Sequence, residues 1–293
     1  MIANSAFDAR VVVMVSKKFE RLGWQRYERS KERLLSDKDC MKKEWNDAVE
    51  SWVDFVRNGK DYYREGLNNP AAFELIGDVA GLTVLDLACG EGYNTRILAR
   101  KNAKVTGIDF SEKMIESAKK EEEREKLGIC YRVMNATDLH EFSNNQFDLA
   151  ACFMSLQDIK DFRKAILEVA RVLKCDGRFV FSIPHPCTEM IRVHKPETEK
   201  IRAIERYFRT MQYTIEWNME RLTKPFQTTS FHRTLTEYFD ALYRSRLVVT
   251  RFAEPRPTQK ALQRYHGLQD VLNTPQSVVI ESLKIEDCSF GAG

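Results

Sequence analysis

From Thr83 onward, short apolar or β-branched runs alternate with segments of helical period, and no other feature of the chain constrains its fold as much. Such alternation builds βαβ units around a parallel sheet, because each helix must return the chain across a face before the next strand can pair. The runs Thr83–Leu87, Lys104–Asp109, Ile129–Met134, Phe147–Phe153 and Arg178–Ile183 read as strands, and Tyr93–Lys101, Ser111–Lys126 and Ile159–Lys174 as the helices between them. Lys174-Cys175-Asp176-Gly177 ends the third helix, with Gly177 expected in the left-handed conformation. After Ile183 the rhythm stops. Residues 184–232 carry Pro184, Pro186, Pro196 and Pro225 around a basic and aromatic stretch, Glu197–Leu222, that reads as helical and looks like an insertion covering the sheet. The βα pattern then resumes with a helix at Leu235–Ser245, introduced by a Thr234-x-x-Glu237 capping box, and strands at Leu247–Ala253 and Ser277–Lys284.

Ahead of this block, residues 1–80 read as helical and strongly charged. Trp45, Val49, Trp52, Val53 and Val56 have the spacing of one apolar helix face, and Asn68-Asn69-Pro70 marks a break or a new helix start. The 293 residues are 43% hydrophobic, enough for one large elaborated domain. Charged residues make up 30% but nearly cancel to a formal +3, which disfavours nucleic acid as a partner. No apolar run approaches the roughly 20 residues that span a bilayer, and the amino terminus lacks the pattern of a secretory signal, so a cytoplasmic location is expected. The seven cysteines, Cys40, Cys89, Cys130, Cys152, Cys175, Cys187 and Cys288, form no C-x-x-C pair and have no His at ligand spacing. They read as reduced, structural residues with no metal role.

The chemistry concentrates in Val84-Leu85-Asp86-Leu87-Ala88-Cys89-Gly90-Glu91-Gly92-Tyr93-Asn94-Thr95, a buried strand running through a small-residue turn into a helix. Small residues admit a ligand close to the backbone, and the helix start offers unpaired N–H groups. The next strand ends on an acid, Asp109, 19 positions after Gly90, where a carboxylate can accept hydrogen bonds from two ribose hydroxyls. Phe110 can then lie against an adenine ring. Nicotinamide enzymes share this geometry but use G-x-G-x-x-G, whereas this chain has Ala88-x-Gly90-x-Gly92 preceded by Asp86.

Asp86–Gly92, Asp109, Met134-Asn135-Ala136-Thr137-Asp138-Leu139, Phe147–Phe153 and the Arg171–Arg178 run together resemble the class I S-adenosylmethionine-dependent methyltransferases, over about residues 46–285. The resemblance implies a Rossmann-like, doubly wound α/β fold with seven strands, the last antiparallel, plus a helical cap. It also implies S-adenosylmethionine as cofactor, held by Tyr63, Asp86, Ala88, Gly90, Gly92, Asp109, Phe110, Met114, Asn135, Ala136 and Phe153. Two positions depart from the family pattern: Asn135 stands where an acid is frequent, and Ala88 at the first small position. Asn135 can offer its amide oxygen to the adenine amino group, and Asp138 is a second candidate for that contact or a turn aspartate.

Four regions follow from this reading: a helical amino-terminal segment and cap (1–80), a cofactor-binding core (81–183), a helical insertion serving as substrate lid (184–232), and a completion of the sheet (233–293). The expected function is methyl transfer to an O, N or C nucleophile of a small molecule beneath the cap, with the oligomeric state open and a homodimer one option. His185, just past the fifth strand, and His232, at the end of the insertion, are the candidate catalytic residues; each has a plainer reading, as a loop or core histidine. Tyr63 is either a lid over the methionine end of the cofactor or a packed helix aromatic. Two alternatives stand beside this reading. One is an RNA methyltransferase with Cys187 as nucleophile, although the segment Phe153–Asp158 lacks the Asp-Pro-Pro type motif of such enzymes. The other is a catalytically silent cofactor-binding protein.

Overall fold

A computed structural model describes residues 38–189, 191–194, 201–204, 207–219 and 221–285. The expectations for residues 1–37, Lys31–Arg33 among them, lie outside the described residues, as does Cys288. In chain order the principal elements are α1 (Lys38–Arg57), a π-helical turn (Arg64–Asn68), α2 (Asn69–Ile76), β1 (Thr83–Leu87), α3 (Tyr93–Arg100), β2 (Lys104–Asp109), α4 (Glu112–Glu125), β3 (Cys130–Val133), β4 (Phe147–Phe153), α5 (Phe162–Val172) and β5 (Leu173–Pro184). There follow α6 (Pro186–Glu189), β6 (Ile191–His194), β7 (Ile201–Ile204), β8 (Met211–Trp217), β9 (Phe226–His232), α7 (Leu235–Arg244), β10 (Leu247–Ala253), α8 (Gln259–Arg264) and β11 (Ser277–Lys284).

Seven of these strands form one sheet in the order β10-β11-β5-β4-β1-β2-β3. β11 runs antiparallel to both neighbours, and the pairs among β1 to β5 are parallel. The central strands are buried on both faces, so their side chains split by alternation into two cores. Leu85, Ala150, Phe179, Phe181 and Ile280 pack with Phe162, Ile166 and Tyr238 from α5 and α7. Val84, Leu149, Ala151, Val180 and Val279 pack with Leu75, Ile76, Leu98 and Ile115 from α2, α3 and α4. This arrangement is the doubly wound, seven-stranded fold that the βα rhythm and the family resemblance lead one to expect.

Several local expectations need correction. Among its described residues the 184–232 insertion is not the expected helix: apart from the four-residue α6 they form two antiparallel pairs, β6 with β7 and β8 with β9. Along β8 the run Met-Gln-Tyr-Thr-Ile-Glu-Trp is rich in aromatic and β-branched residues, which favour a pleated surface. Among the described residues the main helix of the cap is α1. Its inner face is Met41, Ala48, Phe55 and Val56, while Trp45, Val49, Trp52 and Val53 are only half-buried. Helix α5 starts later than expected, capped by Asp161, and ends at Val172 because the chain goes straight into β5. The left-handed residue there is Asp176, at φ 59°, and not Gly177. Gly177 is needed instead for close approach, since a Cβ there would lie 2.8 Å from the Lys174 carbonyl oxygen. Of the cysteines, Cys152 is fully buried but Cys130 is exposed. The Thr234–Glu237 capping box forms, Thr234 Oγ1 accepting from the Glu237 N–H at 3.3 Å and Glu237 Oε2 accepting from the Thr234 N–H at 3.0 Å. No helix among the described residues is long and apolar enough to cross a membrane.

Candidate active site

The carboxyl ends of β1, β4 and β5 converge where open α/β sheets bind ligands. Past β1 the backbone coils tightly, with Ala88, Gly90 and Gly92 at φ 53°, 57° and 81°. Glycine adopts this region freely, whereas for Ala88 it costs on the order of 1–2 kcal/mol. The turn has an open side and a packed side. A Cβ built on Gly90 meets nothing within 4 Å, so a ligand can lie against the backbone there. A Cβ built on Gly92 would lie 2.2 Å from the hydroxyl of Tyr131, a β3 residue buried beneath the turn.

Two buried acids flank the turn. Asp109 closes β2 against it: Oδ2 accepts from the Gly90 N–H and Oδ1 from the Ser111 N–H, both at 2.9 Å. Each oxygen retains a second lone pair, so the carboxylate can hold the turn and still receive ribose hydroxyls. Burial raises its pKa to about 6, against the pull of those two amides. Asp86 is 1% exposed; its Oδ2 accepts from Thr95 Oγ1 at 2.6 Å, and its Oδ1 has no partner among the described residues. Burial raises the Asp86 pKa to about 7, opposed by the Thr95 hydroxyl and reinforced by Asp109. An orphaned carboxylate oxygen beside an open glycine turn, with a ribose-type acid opposite, fits a nucleoside ligand bearing a polar amino-acid tail.

The remaining proposed contacts surround this centre. Phe110 is half-exposed at the end of β2, the Met114 side chain is buried in the first turn of α4, and Ala136 is buried. Asn135 differs from expectation. Its Oδ1 already accepts from the N–H and the hydroxyl of Thr137, each at 2.9 Å, so it is the amide NH2 that stays available. Such a group complements a ring nitrogen of adenine and not its amino group. Asp138 is exposed and turned to His140, at 3.0 Å. The Phe153 ring stacks on Phe73 of α2, with centroids 5.5 Å apart. Tyr63 lies against Tyr62, at 4.5 Å, and packs on a small core with Leu67, Leu262 and Leu268.

Neither candidate histidine is a free base in this structure. The ring of His185, 4% exposed, is fixed at both nitrogens: Nε2 lies 3.0 Å from Glu254 Oε1, and Nδ1 accepts from the Cys187 N–H at 3.2 Å. His232 is fully buried with Nε2 2.9 Å from the Tyr207 carbonyl oxygen, so that nitrogen carries its proton.

A roof made from distant segments covers this edge. Glu44 of α1 accepts from the N–H and the hydroxyl of Thr229 on β9, at 2.8 and 3.0 Å. Ser51 exchanges two hydrogen bonds with the Lys224 backbone, and Trp45, Trp52, Trp217 and Phe226 form an aromatic cluster between α1 and the β8–β9 pair. The α1 helix also reaches the glycine turn. Arg57 donates to Glu91 at 2.7 Å and to Glu121 at 2.8 Å, and Glu91, 2% exposed, is held from the other side by Arg96. The π-helical turn closes over the start of α3, with Glu65 accepting from the Tyr93 hydroxyl at 2.6 Å and Asn69 donating to Asn94 at 2.7 Å. The Arg64 guanidinium lies 5.4 Å from the Tyr93 ring centre and 5.3 Å from that of Trp52. Sequence reasoning passed over the Arg57–Glu91–Arg96 cluster; the one local signal was a carboxylate inside a glycine turn with an arginine five positions later.

This fold, with a glycine-bearing turn after β1 and an acid ending β2, is that of the class I S-adenosylmethionine-dependent methyltransferases, and S-adenosylmethionine is the cofactor it takes. A family model for the methyltransferase domain matches residues 85–181. The chain is 33% identical over 168 residues to a demethylmenaquinone methyltransferase of Lactococcus lactis, covering 56% of this chain and 58% of that protein. It is 30% identical over 154 residues to a ubiquinone biosynthesis O-methyltransferase of Coxiella burnetii, covering 50% and 64% respectively, so it spans less than two thirds of either relative. A solved S-adenosylmethionine-dependent methyltransferase from Mesorhizobium loti superposes with a TM-score of 0.62 at 26% identity, covering 73% of this chain and 96% of that one.

Proposed function

We propose that the protein transfers the cofactor's methyl group to an O, N or C nucleophile of a small molecule enclosed beneath the roof. The observation that carries this reading is that α1 and the β8–β9 pair are bonded to each other across the carboxyl edge, by Glu44 with Thr229 and Ser51 with Lys224. A covered edge suits an acceptor small enough to be enclosed, and the near-balanced charge offers no track for a polyanion. The two quinone-pathway relatives are named for small acceptors, which agrees with this reading.

S-adenosylmethionine, when bound, supplies an electrophilic methyl on a sulfonium. In this proposal the chain's residues bind and orient. Asp109 receives the ribose hydroxyls, Gly90 leaves room for the ligand, and Asp86 Oδ1 and the turn Ala88–Gly92 face its polar tail. Phe110, Met114, Asn135 and Ala136 border the adenine. Tyr63, with Arg64 beside it, closes the methionine end, and Phe153 stiffens the wall through Phe73. His185 and His232 hold loops at the acceptor side through their carboxylate and carbonyl partners and are not assigned a proton transfer. The RNA alternative draws no support from Cys187, whose thiol pKa is raised by burial and by Glu254, which disfavours the nucleophilic thiolate.

Incubating the protein with methyl-labelled cofactor and fractionated cell extract tests the proposal. Label is expected in the low-molecular-weight fraction. Label in RNA or protein alone overturns the reading.

A further inference from the structure

The segment after β4 is held more firmly than any loop needs for its own sake. Met154 sits at φ 49°, a strained conformation for a side chain of its kind, and lies next to the equally left-handed Ala88 turn. Its N–H donates to both the carbonyl and the hydroxyl of Ser182 at 3.0 Å, while the Ser155 hydroxyl lies between the Phe153 carbonyl at 2.9 Å and the Ala88 carbonyl of the glycine turn at 3.3 Å. Arg233, 3% exposed, directs its guanidinium to four main-chain carbonyls of the same segment, those of Leu156, Gln157, Ile159 and Lys160, at 2.6–3.4 Å.

Within this fixed segment Gln157 is 6% exposed. Its Nε2 donates to the Met154 carbonyl at 2.7 Å, which sets the orientation of the amide, since the reverse would press two oxygens together. The Oε1 is thereby turned away, and it has no hydrogen-bond partner among the described residues. On β9, which packs against this segment, the fully buried Ser230 hydroxyl is also without a partner there. A buried amide oxygen left unbonded costs about 1–3 kcal/mol. With the Gln157 amide oxygen and the Ser230 hydroxyl both without a partner among the described residues, a ligand bearing a donor would relieve that cost.

We propose that Gln157 is a substrate-binding residue whose Oε1 accepts a hydrogen bond from the methyl acceptor, which must therefore carry an O–H or N–H donor, with the Ser230 hydroxyl as a second polar contact. This rests on the small-molecule reading above and adds to it the chemistry of the acceptor. A neutral amide is no base at ordinary pH, so the role is orientation: Gln157 fixes the acceptor against the turn that carries the cofactor. An acceptor presenting only an anionic oxygen at this point is repelled by Oε1 and selected against.

The test uses the full-length protein, methyl-labelled S-adenosylmethionine and the low-molecular-weight fraction of cell extract as acceptor source, titrated by dilution. In Gln157→Met, kcat/KM on that fraction is expected to fall by about 5–150-fold, the equivalent of one hydrogen bond of about 1–3 kcal/mol. The Kd for S-adenosylhomocysteine by calorimetry and the melting temperature should stay near wild type. Gln157→Glu supplies a readout that a merely structural role would not move. Only its protonated carboxyl reproduces both the donor to Met154 and the acceptor oxygen, so its kcat/KM relative to wild type should climb as pH falls from 8 to 5. A kcat/KM within threefold of wild type in Gln157→Met, or a flat ratio with pH in Gln157→Glu, overturns the inference while leaving the small-molecule reading intact. If wild type places no label in the fraction, that reading fails and the inference with it.

Discussion

The packing of Tyr131 beneath the glycine turn can be tested by closing the space that Gly92 leaves for it. In Gly92→Ala the new Cβ would stand 2.2 Å from the Tyr131 hydroxyl oxygen and 2.8 Å from the carbon that bears it. The same edge of the ring also runs close to Gly107, where a Cβ would stand 2.9 Å from Cδ1 and Cε1. Three terms set the magnitude. Left-handed φ for alanine costs on the order of 1–2 kcal/mol, overpacking about 1–3 kcal/mol, and the reduced freedom of the unfolded chain returns about 0.4–1 kcal/mol. The net is a loss of about 1–4.5 kcal/mol, which at about 2–4 °C per kcal/mol lowers the melting temperature by about 2–18 °C. The Tyr131 hydroxyl makes no hydrogen bond among the described residues, so Tyr131→Phe alone should be neutral or slightly stabilising. It also removes the atom that the alanine strikes first, so Gly92→Ala with Tyr131→Phe should recover about 1–2 kcal/mol beyond the sum of the single changes. Thermal or urea unfolding of the four proteins closes the cycle. Additivity within about 0.5 kcal/mol would show that the hydroxyl is not what Gly92 accommodates and would refute the packing argument.

Three further outcomes are expected. Asp109→Asn should weaken S-adenosylhomocysteine binding about 10–100-fold in calorimetry, as charge-assisted bonds of about 1.5–3 kcal/mol are lost, and an unchanged Kd contradicts the ribose assignment. Asp86 has its pKa raised to about 7 in the fold from 3.8, so it favours the folded state when protonated and penalises it progressively as pH rises from about 4 through 7. Asp86→Asn should therefore stabilise the cofactor-free protein by a margin that grows to roughly 2–4 kcal/mol between pH 5 and pH 8, and a margin constant with pH in melting experiments refutes the shift. Arg57→Gln leaves Glu91 buried with Arg96 as its remaining arginine partner, which should cost about 1–3 kcal/mol and accelerate amide exchange in α1; exchange at the wild-type rate would show that this contact does not hold the helix.

Much of this architecture could be read from the chain because its signals are local. Thr83–Leu87, Lys104–Asp109, Phe147–Phe153 and Ser277–Lys284 have the same bounds in the structure as in the sequence reading, since each is a short cluster of apolar and β-branched residues set off from the helical segments around it. The glycine turn and Asp109 were legible for a similar reason: a left-handed turn and a strand-ending acid each leave a mark within a few residues. The insertion was not. Thr228, Ser230 and His232 are polar yet almost wholly buried, and what buries them is packing that no window of the sequence contains. Glu91 and Gln157 were overlooked for the same reason, because their meaning depends on Arg57 and Arg233, which lie 34 and 76 positions away in the chain.

The roof has a consequence for how such a protein is made and how it changes. Ser51 and Lys224 bond across 173 positions of chain, so α1 leaves the ribosome long before the strands that cover its tryptophans exist. Until then Trp45 and Trp52 form a sticky surface on the nascent chain, and mature cap geometry is a late event of biosynthesis. The same lacing governs inheritance. A new acceptor preference cannot be acquired by exchanging the 184–232 segment alone, because Glu44 and Ser51 would then face unfamiliar partners. Recombination between relatives should succeed only when α1 and the β8–β9 pair travel together.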